Sequence, residues 1–140
     1  MGPIPIIDQS ISFIGGYTHN QDALYDNPLP VIVFGDHTRV LKFVNFPFAR
    51  GADGTQLIYP NHLISPQFLY CALSHIKLSS FGYTRHLKYL RAKSIWIPPP
   101  NLNRLFNDHA TPILRQIHTL RKQNQQLSKA RSILIPKLIQ

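Results

Sequence analysis

The residues best placed for acid–base chemistry lie in the stretch PVIVFGDHTRVLKFV, Pro30 to Val44. There Asp36 and His37 stand side by side after Gly35, with Arg39 two residues on. A carboxylate beside an imidazole could act as general acid and base, or supply two metal ligands. Neither role fits the spacing. Adjacent strand residues point to opposite faces, two ligands in a turn are too few, and no nearby Cys, Glu or second His completes a set. The flanking β-formers predict two strands joined by a turn, with Asp36 bonding local backbone and His37 bracing the loop.

Other candidates fare no better. DNPLP, Asp26 to Pro30, is similar to the Asn-Pro-Pro-aromatic motif of amino-methyltransferases. Leu29 and Pro30, however, stand where the second proline and the aromatic should be. No glycine-rich cofactor fingerprint follows a strand, and no Gly-x-Ser-x-Gly elbow occurs. Cys71 falls on the apolar face of a predicted helix, a poor place for a nucleophile. The expectation is a chain that is not an enzyme and has no metal site or cofactor of its own.

The stronger constellation runs from Lys77 to Lys93. Lys77, Arg85, His86, Lys88, Arg91 and Lys93 interleave with Phe81, Tyr83 and Tyr89. Flexible cations beside polar-tipped tyrosines suit a duplex surface, and a helix start capped by Thr84 would add backbone N–H donors. Basic amphipathic segments also bind membranes and acidic proteins, so the pattern is only moderately specific.

The elements that must position these residues divide the chain in two. Ile4 to Ile7, Val31 to Phe34, Val40 to Val44 and Gln56 to Ile58 read as short strands between turn signals. SPQFLYCALSHIKL then predicts a helix with Ser65 as N-cap, Pro66 at the first position and Phe68, Leu69, Ala72, Leu73 and Ile76 on one face. Ser94 to Ile97 reads as a strand stopped by Pro98 to Pro100, a domain boundary. The fold expected is therefore α+β, a small mixed β-rich domain with one or two helices over residues 1–99, then a long helix over 100–140.

That helix is predicted over Leu102 to Ile135, with a kink or restart at Pro112 and a stop at Pro136. Its apolar residues repeat as a heptad. Phe106, Ile113, Leu120, Leu127 and Leu134 take d, and Ala110, Ile117, Asn124, Arg131 and Leu138 take a. A lone Asn at an a position is a device for fixing register. The competing possibility is an ordinary amphipathic helix packed on its own domain, since periods of 3.5 and 3.6 differ little over so few turns. Length favours the coiled coil, because residues 113–138 would extend ~39 Å, more than one small domain covers.

Charge follows the same division. Residues 1–60 hold three basic residues against five Asp, a net of −2, whereas residues 61–140 hold twelve against Asp108 alone, a net of +11. Such a half points to a polyanion or an acidic protein surface as partner, rather than merely a solvated face. A single cysteine excludes an intrachain disulfide, and no segment reads as a signal peptide or membrane span, so a soluble cytoplasmic protein is expected.

Taken in order, IPIIDQS, GGYT, PVIVFGDHTRVLKFVNFPFARGADGTQLI, GYTRHLKYL with IWIPPP, and ILRQIHTLRKQNQQLSKARSILIPKLI resemble the specificity subunit of bacterial type I restriction-modification systems. The resemblance covers essentially the whole chain, and the order of blocks is more specific than any one. It implies a target recognition domain over residues 1–99, then a conserved helix ending near Leu134 to Leu138. Such subunits usually carry two domains and two helices, so this chain spans about one half-unit, and family members normally begin with an earlier segment.

The resemblance further implies a non-catalytic reader of double-stranded DNA serving DNA methylation and bacterial defence. Methyltransferase subunits would dock on it and use S-adenosylmethionine, and a restriction subunit would use ATP and Mg. Within the domain, Lys42, Arg50, Arg85 and Lys88 are expected at phosphates and Tyr83, Thr84 and His86 at base edges. Two copies would pair antiparallel through Ile113, Ile117, Leu120, Asn124, Leu127, Arg131, Leu134 and Leu138, reading a bipartite palindrome without a membrane. The alternative is a truncated interaction protein whose helix binds a methylase or specificity subunit without reading DNA.

Overall fold

The computed structural model describes residues 2–79 and 84–138. Among these described residues seven strands come first: β1 (Ile4–Ile7), β2 (Gly16–Thr18), β3 (Leu24–Tyr25), β4 (Val31–Gly35), β5 (Leu41–Val44), β6 (Phe48–Arg50) and β7 (Thr55–Ile58). Three helices follow: α1 (Pro66–Ser74), α2 (Leu87–Arg91) and α3 (Pro100–Leu138). The fold is mixed α+β, two small sheets and a long C-terminal helix. Strands β2, β3 and β6 are too short to carry a sequence period and were not foreseen.

One sheet has the order β2-β1-β6-β3, parallel only between β1 and β6; the other is an antiparallel β5-β4-β7. Strand β4 is the hub. Ile32 and Phe34 face a core built with Phe43, Ile64, Leu69, Leu73 and Leu90, while Val31 and Val33 face a second core with Ile7, Val44 and Phe48. Helices thus cover one face of the three-stranded sheet and the other sheet covers its back. Burial on both faces is why VIVF is continuously apolar rather than alternating.

Helix α1 forms as its sequence dictates. Ser65 Oγ accepts from Phe68 N–H at 3.1 Å, Pro66 opens the helix, and Leu69 and Leu73 are buried. The same Ser65 is tied to α3, its N–H and Oγ meeting Asn103 Oδ1 at 3.3 and 3.1 Å. Gln67 Nε2 donates to Thr111 Oγ1, and Phe68 meets Phe106 edge-on at 5.3 Å.

Two sequence expectations fail here. Ser94 to Ile97 makes no strand; Ile95 packs into the helix-side core while Trp96 is 65% exposed. The prolines that follow cannot donate to a ladder. Helix α3 runs without interruption through Pro112, where the sequence predicts a kink or restart and no restart occurs, and it does not stop at Pro136. A proline removes one donor and crowds one carbonyl, and the turns on either side carry the helix through.

Candidate nucleic-acid interface

The Asp36 turn builds the corner on which the basic residues stand. Gly35 N–H donates to Val40 O at 2.8 Å and Arg39 N–H to Gly35 O at 2.7 Å, closing a four-residue loop whose last residue, Arg39, has φ 62°. That left-handed conformation is uncommon for an arginine. Gln9 locks the loop from outside: its Oε1 accepts from His37 N–H and its carbonyl accepts from Thr38 Oγ1 at 2.6 Å. A Cβ at Gly35 would run into Thr38 Oγ1 and the Gln9 Cβ, so that glycine is required by close approach, and one at Gly54 would displace the Gln9 side-chain amide.

Asp36 is 4% exposed, and its work is structural. Its N–H donates to Gly54 O at 2.7 Å, its carbonyl accepts from His86 N–H at 2.8 Å, and its Oδ1 accepts from Leu87 N–H at 2.7 Å. His86 occupies the cap position of α2 without a side-chain cap bond. Asp36, 51 residues before Leu87, supplies the missing carboxylate. A negative charge at the first free N–H groups also suits the helix dipole. The turn is therefore structural, as its spacing predicts, but the carboxylate reaches a distant helix rather than its own loop.

This clamp sets α2 on the domain. Leu90 is buried, and Arg85, Lys88, Arg91 and Lys93 are exposed, with Lys88 Nζ 4.8 Å from the Tyr89 ring centroid. Arg50 is exposed at the end of β6 with Nε donating to Thr55 O at 2.8 Å. Thr55 follows the Gly54 that Asp36 grips, so a continuous set of bonds joins Arg50 to the start of α2. Lys77 and Arg39 are exposed near the same helical layer, Arg39 through a bond to Leu78 O.

Three expected contacts are placed otherwise. Lys42 is 3% exposed: its Nζ donates to Ser12 O at 2.6 Å and lies 3.5 Å from Asp8 Oδ1. It shares the face of Val44, so strand alternation turns it inward, away from any phosphate. Burial holds its ammonium pKa below the ordinary lysine value, with Asp8 opposing the shift. His86 is 1% exposed, its Nδ1 without a partner, and cannot reach a base edge. Thr84 caps nothing, and its Oγ1 is buried without a partner. Tyr83 lies outside the described residues.

The heptad divides differently from its sequence reading. Phe106 and Ala110 are spent on the domain together with Leu114 and His118, the i, i+4 face of an ordinary packed helix. Ile113, Ile117, Leu120, Asn124, Leu127, Arg131 and Leu134 all face outward, and from Lys122 to Pro136 every residue is exposed. The side chain of Leu138 lies outside those described. Among the described residues no helix is long and apolar enough to cross a membrane, and no cluster of three metal-ligating side chains exists. Cys71 is half-buried, and burial raises its thiol pKa.

Sequence reasoning missed Gln9, because a lone polar residue after a strand carries no signal of the turn it will hold. It also missed the grouping of Phe13, Phe46 and His118, drawn from three separate segments. Comparison with protein-family models, curated proteins and solved structures finds no significant match.

Proposed function

We propose that the chain is a non-catalytic DNA reader, one recognition domain and one spacer helix of a type I restriction-modification specificity subunit. The carrying observation is an acid-free set of exposed cations, Lys88 and Arg91 on α2 with Arg85 and Lys93 just outside its ends, along a segment anchored by Asp36. Cations on a fixed frame contact phosphates in register, whereas cations on a loose segment give only non-specific attraction. Arg50 extends the set.

Helix α3 supports the second half of the reading. Its outward stripe of Ile113, Ile117, Leu120, Leu127 and Leu134 awaits a partner, and a coiled-coil partner of the same length sets two domains about one duplex turn, ~34 Å, apart. The helix beyond Ile113 carries only cations, so two copies repel electrostatically. Acidic methyltransferase surfaces, or salt, relieve that repulsion. A gel-shift series with two half-sites at varied spacing tests the whole; affinity that ignores spacer length refutes it.

A second reading gains from the inward placement of Lys42 and His86, which leaves fewer residues for DNA. In it the chain is an interaction protein that uses α3 alone to hold a methylase or specificity subunit. Duplex binding by the isolated chain with a steep salt dependence excludes that reading.

A further inference from the structure

Where α3 leaves the domain it forms one wall of a cleft of about 310 Å³ that shares no residue with the α2 surface. The other walls come from the segment after β1, from β2 and from the turn between β5 and β6. Phe13, Tyr17 and Phe46 line it together with His118, Arg121 and Lys122. The His118 ring lies 4.9 Å from Phe46 at an interplanar angle of 31°, and Phe13 is 6.1 Å from Phe46. The Arg121 guanidinium sits 3.8 Å above the Phe13 ring.

Two features single this cleft out. Its rings are Phe13, Tyr17, Phe46 and His118; His118 already lies against Phe46 and Arg121 against Phe13, which leaves Tyr17 as the ring able to take a planar ligand on its face. Its cations have no carboxylate among the lining residues, and α3 itself holds no acid beyond Asp108. Arg121 is planar and pinned on Phe13, so less freedom is lost when its N–H groups take up an anion. Burial, and after it the neighbouring Lys122 and Arg121, lower the His118 pKa.

We propose that this cleft binds a nucleoside monophosphate unit, the base against Tyr17 and the phosphate on Arg121 and Lys122. The volume is that of a small-ligand site, and a stacked ring with one adjacent anion satisfies both halves of the lining. The unit comes either from a free nucleotide or from an unpaired nucleotide of a strand, and the same chemistry holds either. Occupancy fastens α3 to the sheet at the point where the helix projects.

The test is an NMR titration of the full chain, following His118 and Tyr17 ring signals, with deoxyadenosine monophosphate, deoxyadenosine, inorganic phosphate and a short single-stranded oligodeoxyadenylate. Saturable shifts with the monophosphate are expected. Deoxyadenosine, the Arg121→Gln/Lys122→Gln variant and the Tyr17→Leu variant should each weaken binding about fivefold or more, a stacking or phosphate contact being lost. Both cations are exposed, so the charge variant keeps its fold, and circular dichroism checks Tyr17→Leu. Tighter binding of the oligonucleotide assigns the site to a strand, and equal binding assigns it to a free nucleotide. The proposal is overturned if the monophosphate gives no saturable shift at millimolar concentration, or if phosphate alone reproduces it.

Discussion

Replacing Asp36 by alanine should loosen α2 and, through it, weaken the proposed DNA binding. A five-residue helix has no stability of its own, because nucleation costs more than so few bonds return. Leu90 burial and the Asp36 clamp hold it. The substitution removes a charge-assisted bond of 2.7 Å to Leu87 N–H and leaves that donor partly buried. A lost cap costs about 0.5–2 kcal/mol and a bond to a charged group about 1.5–3 kcal/mol, so ~2 kcal/mol is expected. The bonds made by the Asp36 main chain remain. In a domain of this size the loss lowers Tm by roughly 6–10 °C. Urea titration followed by circular dichroism reads it, and Asp36→Asn, which keeps an oxygen acceptor, should recover about half. Duplex affinity of Asp36→Ala, measured where the chain is still folded, should fall with Arg85 and Lys88 no longer fixed. A stability change within ~0.5 kcal/mol, the range of an ordinary surface substitution, would refute the clamp.

Arg85→Ala should weaken binding to all duplexes about equally and flatten the salt slope by ~1, whereas Lys42→Met should leave the slope alone and alter stability; equal slopes for both substitutions contradict the placement of Lys42. Asp8 responds to acid. Its burial alone would raise the pKa, but bonds from Ser10 N–H and Oγ, with Lys42 nearby, bring it below 3.8. The folded state thus binds the proton less readily than the unfolded chain, so Asp8 stabilises the fold above about pH 4 and that contribution fades as pH falls through the lower folded value. Asp8→Asn should remove this part of the acid dependence in urea titrations between pH 5 and pH 2. Self-association through α3 should strengthen with added salt in light scattering, since Arg115, Arg121, Lys122, Lys129 and Arg131 face no acid on a second copy. A dimer dissociated by salt would contradict it.

Local physics settled the parts of this protein that depend on neighbours in sequence. The Ser65 and Pro66 cap fixed the start of α1, runs of β-formers fixed β4 and β5, and the residue counts put the excess positive charge in the second half. Tertiary structure decided whatever depends on which face a residue turns and what lies behind it. Lys42 points inward because it shares the side of Val44, and Asp8 and Ser12 were waiting there. Asp36 became the cap of a helix 51 residues away because Gly54 and Gln9 hold its turn against that helix. The outward stripe of α3 begins where Phe106, Ala110 and Leu114 have already been used by the domain, a partition that a repeat of 3.5 or 3.6 residues cannot assign without the packed partner.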